Sequence, residues 1–269
     1  MYTVKTSGRA LMGAFALLFV LTPVRAFGQL SVDELELMLR PEQPAQRTSV
    51  FRVTNNTGSP IQAMLDVQDW NRDENGVNKF APLSSAAGTC GEHLKVFPLS
   101  IRIDAHGTEA VRVTFDGPAQ QSCWGIVFVQ ANEPPPPPEK KSQITYVMRT
   151  GVKIYVEPEN AVRSGEVDSV KLSETAASET DTTKVPAIEL RFRNDGSAHL
   201  KPTGAVEVRS ADNQVAARLP IAEFPIAPGD VRRIVLRLPA LPAGRYVALG
   251  LVDYGGSDIA AGQLEFEVK

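Results

Sequence analysis

Alternation with a period of two, in short runs, governs what this chain can fold into. "TSVFRVTN" sets Phe51 and Val53 on one face, and "IQAMLDV" does the same for Ile61, Ala63, Leu65 and Val67. "LSIRI" aligns Leu99, Ile101 and Ile103, and "AVRVTF" aligns Val111, Val113 and Phe115. Residues two apart share a face only in an extended chain. The connectors "NNTGSP", "DAHGTE" and "DGPAQQ" consist of turn formers. No apolar stripe at helical spacing persists for three turns. Each run offers one face to a core and one to water, and strands so spaced imply antiparallel sandwiches.

The second half repeats this logic. "AIELRFRNDGSAHL" parallels "SVFRVTNNTGSPIQ": an alternating strand, an Asn-rich turn, then the next strand. "APGDVRRIVLRLP" is expected to bury Ile234, Leu236 and Leu238, and "QLEFEV" to bury Leu264, Phe266 and Val268. Tyr246 opens the strand in "LPAGRYVALGLVDYGG"; it either caps a corner with its hydroxyl or is a plain core tyrosine. The polar "KLSETAASETDTTK" predicts a surface loop inside the second domain. The expected fold is all-β: two Ig-like β-sandwich domains in tandem, residues 29–158 and 159–269. The boundary falls near "VEPENAVRSGE", where Pro158 ends a strand because it cannot donate to a ladder.

The opening "MYTVKTSGRALMGAFALLFVLTPVRAFGQ" has a basic head at Lys5 and Arg9 and an apolar run from Ala10 to Leu21. Small residues then offer cleavage after Ala26 or Gly28. Residues 1–28 therefore read as a cleaved signal peptide, the run being short for a bilayer span of ~20 residues. The segment carries three cations and no acid, so its removal takes the formal charge from −3 to −6. A mildly acidic chain with no basic cluster argues against nucleic acid or an anionic membrane as partner. Export also places Cys90 and Cys123 in an oxidising compartment, so a Cys90–Cys123 disulfide is expected; the alternative is two buried free thiols.

"ITYVMRTGVKIYV", Ile144 to Val156, alternates far beyond the ~5–6 residues of an ordinary strand. Val152, Ile154 and Val156 are expected to complete this chain's own core. Ahead of it, "NEPPPPPEKK" reads as a stiff, exposed polyproline II loop.

Sites for chemistry are scarce. The chain lacks Gly-x-Ser-x-Gly, His-Glu-x-x-His and a phosphate-binding glycine loop, so an enzyme is not expected. His93, His106 and His199 are scattered and read as ordinary surface or loop histidines. "NRDENG" places Asn71, Asp73, Asn75 and Gly76 at half a calcium loop's spacing. A calcium loop needs Asp first and Glu twelfth, and here those positions hold Asn71 and Pro82, so a polar hairpin turn is expected. No metal and no cofactor is implied. "NNT" at Asn55 matches a glycosylation sequon, and its turn position explains the residues without a glycan.

Taken in order, these segments resemble a known family. The first domain is similar to the periplasmic pilus chaperones, the PapD-like Ig sandwiches. "VFRVTNNTGSPIQAMLDVQDW" looks like the family's second and third strands. "LKVFPLSIRIDAHGTEAVRVTF" resembles its pattern of apolar strand, proline (Pro98), turn and Arg-containing strand (Arg112). "SCWGIVFVQANEPPPPP" looks like its aromatic strand ending in Pro-Pro, and "KIYVEP" like the close of its first domain. "DWNRDENG", with Trp70, is closer to the non-classical branch. The second domain looks more like a generic bacterial Ig or fibronectin-like module.

The resemblance implies strand donation to incomplete pilus subunits, with Ile144, Tyr146, Met148 and Thr150 as the subunit-binding residues. It also implies cations that hold a subunit's terminal carboxylate. The family's lysine position falls near Gly151, so the candidates are Arg149 and Lys153, with Arg40 for the first-strand arginine. The expected partners are secreted pilus or surface-protein subunits and, beyond them, an outer-membrane usher; no nucleic acid and no small-molecule substrate is expected. The expected location is the periplasm, or alternatively the cell surface. Two other readings remain open: a structural or adhesion protein of two Ig-like domains, and a binding subunit whose partner sits between the domains.

Overall fold

The structure, a computed structural model, describes residues 29–118, 120–131 and 148–269. The expected signal peptide, the proline run, Ile144 and Tyr146 lie outside the described residues.

The strands of the first sandwich are β1 (Leu30–Val32), β2 (Glu36–Leu39), β3 (Thr48–Asn55), β4 (Ile61–Arg72), β5 (Asn78–Ala81), β6 (Leu94–Phe97), β7 (Ser100–Ile103), β8 (Thr108–Phe115), β9 (Cys123–Ala131) and β10 (Arg149–Val156). One sheet runs β1-β3-β8-β6, the other β2-β10-β9-β4-β5 with β7 also on β4. The second sandwich comprises β11 (Gly165–Ala176), β12 (Lys184–Asn194), β13 (Thr203–Ser210), β14 (Val215–Ile221), β15 (Val231–Arg237), β16 (Gly244–Asp253) and β17 (Ala260–Val268). It pairs a β11-β12-β15 sheet with a β14-β13-β16-β17 sheet. The chain is all-β, two Ig-like sandwiches joined by a short linker, as its alternation requires.

Phe51, Val53, Val111, Val113 and Phe115 are fully or almost fully buried in the first core, with Val152, Ile154 and Val156 from β10. Leu99 differs from expectation: it is 57% exposed, because it lies between β6 and β7 rather than within the strand that buries Ile101 and Ile103. In the second core Ile234, Leu236 and Leu238 are half-buried, as are Leu264, Phe266 and Val268. Only residues 177–183 of "KLSETAASETDTTK" form the expected loop. The first half of the stretch finishes β11, which pairs with β12 as far as Ala176↔Lys184. Backbone pairing with an alternating partner strand holds a polar run extended even without an apolar face of its own.

The repeated Asn-rich turn has a structural reason. Asn55 and Asn194 end β3 and β12, and both are fully buried. Asn55 Nδ2 donates to the carbonyls of Ser59, Ile103 and Asp104, while its Oδ1 accepts the Thr57 N–H. Asn194 Nδ2 donates to Ala198 and Ile226 carbonyls, and its Oδ1 accepts the Gly196 N–H. Each side chain replaces ladder partners at the point where the backbone turns away. The Asn55 amide that a glycan would require is thus occupied.

Cys90 and Cys123 form a disulfide with a Cα–Cα distance of 5.6 Å, tying the segment before β6 to the start of β9. Tyr246 is both of its alternatives at once: 7% exposed, with its hydroxyl donating to the Pro242 carbonyl at 2.9 Å. At "NRDENG", Asp73 Oδ1 accepts the N–H groups of Asn75 and Val77, and Gly76 takes φ +89° in the β4–β5 hairpin. That carboxylate oxygen closes a turn.

Candidate functional site

β10 is divided by its neighbours. One edge pairs with β9 along its whole length, from Arg149↔Gln130 to Val156↔Cys123. The other edge pairs with β2, in parallel, only from Lys153↔Glu36 to Val156↔Leu39. Lys153 N–H donates to the Leu35 carbonyl at 2.9 Å, where that coverage begins. Arg149 to Val152 therefore have no ladder partner on that edge among the described residues. An unpaired row of N–H and C=O groups is a template for another strand. Met148, immediately before it, is 72% exposed, and Thr150 is half-buried.

The outer face of the same strands carries Gly151, Lys153 and Tyr155 beside Trp124, Ile126 and Phe128 of β9. Gly151 leaves room for its neighbours: a Cβ there would meet Ile126 Cδ1 at 2.6 Å and Phe128 Cε1 at 3.1 Å, so the Ile126 side chain would have to shift. Arg149 stacks over the Phe128 ring, 4.0 Å from its centroid. Lys153 Nζ lies 5.0 Å above the Trp70 ring and 3.8 Å from Glu36 Oε1. Burial, and then Arg72 nearby, lower the Lys153 pKa from its ordinary value, with Glu36 partly offsetting them.

Of the three candidate anchor cations, Arg149 and Lys153 line one open pocket with Gly151, Phe80, Ile126 and Phe128, and Arg40 lies apart from them. Arg40 lies one residue beyond the Val156↔Leu39 pair, four residues from Lys153, or about 13 Å along the strand at ~3.3 Å per residue. Arg149 is equally far in the other direction. Arg40 is also engaged: its Nη1 lies 3.1 Å from Glu157 Oε1 and 3.0 Å from the Glu157 carbonyl. Lys153 shares Glu36 with Lys201 of the second domain.

The cleft between the domains contains residues the sequence reading missed. Glu36 bridges the domains, with Lys201 Nζ of the second domain 2.6 Å from its Oε2. Arg72 stacks on Trp70, 5.1 Å from the ring centroid, and donates to the Pro225 carbonyl at 3.0 Å. Glu157 is 3% exposed; besides Arg40 it accepts the His199 backbone N–H at 2.9 Å and lies 3.9 Å from Arg163. His199 corrects its expectation. Its side chain is only 8% exposed, packed edge-on against Trp124 and Tyr155 with ring centroids 5.1 and 4.6 Å away. Burial lowers its pKa from 6.5 to about 3, so the imidazole is neutral.

The tip of the β4–β5 hairpin crosses to the second domain. Glu74 accepts the Arg233 N–H through its carbonyl at 2.8 Å and pairs with Arg191 at 3.0 Å. The domains are thus fastened on one side by this hairpin and on the other by Glu157 and Glu36.

No family model matches the chain, and no curated protein matches it significantly. Solved structures do. A chain of the chaperone–tip adhesin complex of CFA/I fimbriae biogenesis aligns with a TM-score of 0.52 at 10% identity, over 89% of this chain and 98% of that one. The class 5 fimbriae chaperone CfaA aligns at 0.50 and 11% identity, over 88% and 98%. The fold, across both domains, is that of fimbrial chaperones.

Proposed function

We propose that the protein is a periplasmic chaperone-like protein that caps secreted pilus or surface-protein subunits by lending them residues 144–150. The observation that carries this is the divided β10. Its second half is locked between β2 and β9 with Val152, Ile154 and Val156 in the core, while the edge before Lys153 has no ladder partner among the described residues. In this reading Ile144, Tyr146, Met148 and Thr150 fill a groove in the subunit while the backbone supplies register. Burying three such side chains contributes roughly 5–10 kcal/mol before the costs of association. The likeness in fold to fimbrial chaperones supports the reading.

Lys153 is the anchor for a subunit's terminal carboxylate in this proposal, with Arg149 further out on the same face and Arg40 holding the strand end through Glu157. Domains at residues 29–158 and 159–269 follow a signal peptide at 1–28, and an outer-membrane usher is the further partner. Tyr146→Asp with Met148→Asp tests the proposal. Co-purification with a subunit from periplasm should be lost while circular dichroism stays unchanged, and retained co-purification would refute strand donation. Lys153→Ala should weaken the complex at least tenfold, roughly 1.4 kcal/mol, and Arg149→Ala should do so less. If no subunit co-purifies with the unaltered protein, the structural or adhesion reading takes its place.

A further inference from the structure

The chain has five methionines, and two of them, Met1 and Met12, belong to the expected signal peptide. The other three, Met38, Met64 and Met148, are all exposed, at 45%, 46% and 72%. Methionine is ordinarily among the buried residue types, where its flexible thioether fills gaps in a core. Both cysteines are joined in the disulfide, so these three thioethers are the reduced sulfurs of residues 29–269.

All three lie on or beside one sheet, and their surroundings rank them. Met64 of β4 sits between two ladder partners, Gln130 of β9 and Ser100 of β7. Met38 of β2 has Tyr155 of β10 on one side. Met148 has no ladder partner among the described residues, because the pairing of β10 with β9 starts one residue later, at Arg149↔Gln130. It therefore presents its sulfur most openly to a solute, next to the strand edge that a subunit is proposed to cover. Thioether oxidation follows access, and the product is polar where the reactant was apolar.

We infer that Met148 is an oxidation site through which a peroxide switches off strand donation. The Met148 sulfur attacks one oxygen of hydrogen peroxide. The S–O bond forms as the O–O bond breaks, and the departing hydroxide takes the proton of the transferred hydroxyl and becomes water. Sulfur gives up two electrons, the peroxide gains them, and methionine sulfoxide results. Seating that sulfoxide in an apolar groove costs desolvation that the thioether does not. The rest of the strand is untouched, since Val152, Ile154 and Val156 hold it in the core between β2 and β9. A methionine sulfoxide reductase reverses the step. The inference rests on the strand-donation reading and supplies its regulation.

The full-length mature protein is treated with hydrogen peroxide, and oxygen uptake at each methionine is followed by peptide mapping with mass spectrometry. Met148 should react first, with circular dichroism unchanged. The peroxide is then removed, a periplasmic extract is added, and capture of the subunit is compared with that by untreated protein. Treatment should weaken capture at least tenfold, and a sulfoxide reductase should restore it. Met38→Leu with Met64→Leu keeps Met148 as the only thioether and should remain as sensitive as the unaltered protein. Met148→Leu should capture after treatment what it captured before. Reaction of Met38 or Met64 ahead of Met148, an insensitive double variant, or a Met148→Leu protein that loses capture on treatment overturns the inference and leaves strand donation standing. If the untreated protein captures no subunit, strand donation fails and the inference falls with it.

Discussion

Glu157 is the residue on which the domain junction turns. A carboxylate 3% exposed is tolerable only because Arg40, Arg163 and the His199 N–H surround it. Glu157→Ala removes the carboxylate of a buried ion pair and leaves the His199 N–H without its acceptor, Arg40 keeping only backbone carbonyls; it should cost about 3–5 kcal/mol, read from urea unfolding. His199 beside it gives a pH dependence. Its folded pKa of about 3 lies below the ordinary 6.5, so the unfolded chain takes up the proton first. Its contribution is therefore complete above about pH 6.5 and declines as pH falls toward 3, by about 1.4 kcal/mol per unit. Unfolding at pH 7 and pH 5 should differ by about 2 kcal/mol from this group, and His199→Phe should remove that part of the difference. Tyr246→Phe should cost about 1–2 kcal/mol by leaving the Pro242 carbonyl without its donor.

At the scale of elements, β10 performs two tasks because its neighbours differ in length. β2 is four residues long and reaches only Lys153, so the same alternating pattern is interior strand after that point and open edge before it. The alternation was legible in the sequence; the place where coverage stops was not, because it depends on where β2 begins in another part of the chain. The polar end of β11 shows the converse. Lys171 to Ala176 have no sequence signature of a strand, yet β12 holds them extended through backbone bonds. The disulfide joins cysteines 33 positions apart. Replacing both cysteines by serine should lower stability by about 3–4 kcal/mol in the chain-entropy account, measured by denaturant midpoint.

For the whole molecule, the decisive contact is between domains. The outer face of β9 is apolar, and Phe80 and Arg149 of the same sandwich cover its Phe128 end. Trp124, Ile126 and Phe128 are at most 5% exposed: Tyr155 and Trp70 join them from the first sandwich, and His199 and Ala227 of the second close over the Trp124 end. The β4–β5 hairpin keeps the two halves at a fixed angle through Glu74 with Arg191 and Arg233. Glu74→Ala with Asn75→Ala should loosen that angle, seen as a larger radius of gyration in X-ray scattering with little change in circular dichroism.

The sandwiches, their turns and the disulfide partners are legible in the amino-acid order. Alternation, Asn-rich connectors and the only two cysteines act through local geometry and composition, which a chain displays before it folds. It also made visible that Val152, Ile154 and Val156 face a core. Tertiary structure alone decided that Arg40 is occupied by Glu157, that His199 is buried rather than exposed, and that Trp70, Trp124, Tyr155 and His199 enclose one cavity. Those residues come from β4, β9, β10 and the turn after β12, and no pattern within any one segment encodes their meeting. The docking of one domain on the other brings them together, and with it comes the desolvation that sets their chemistry.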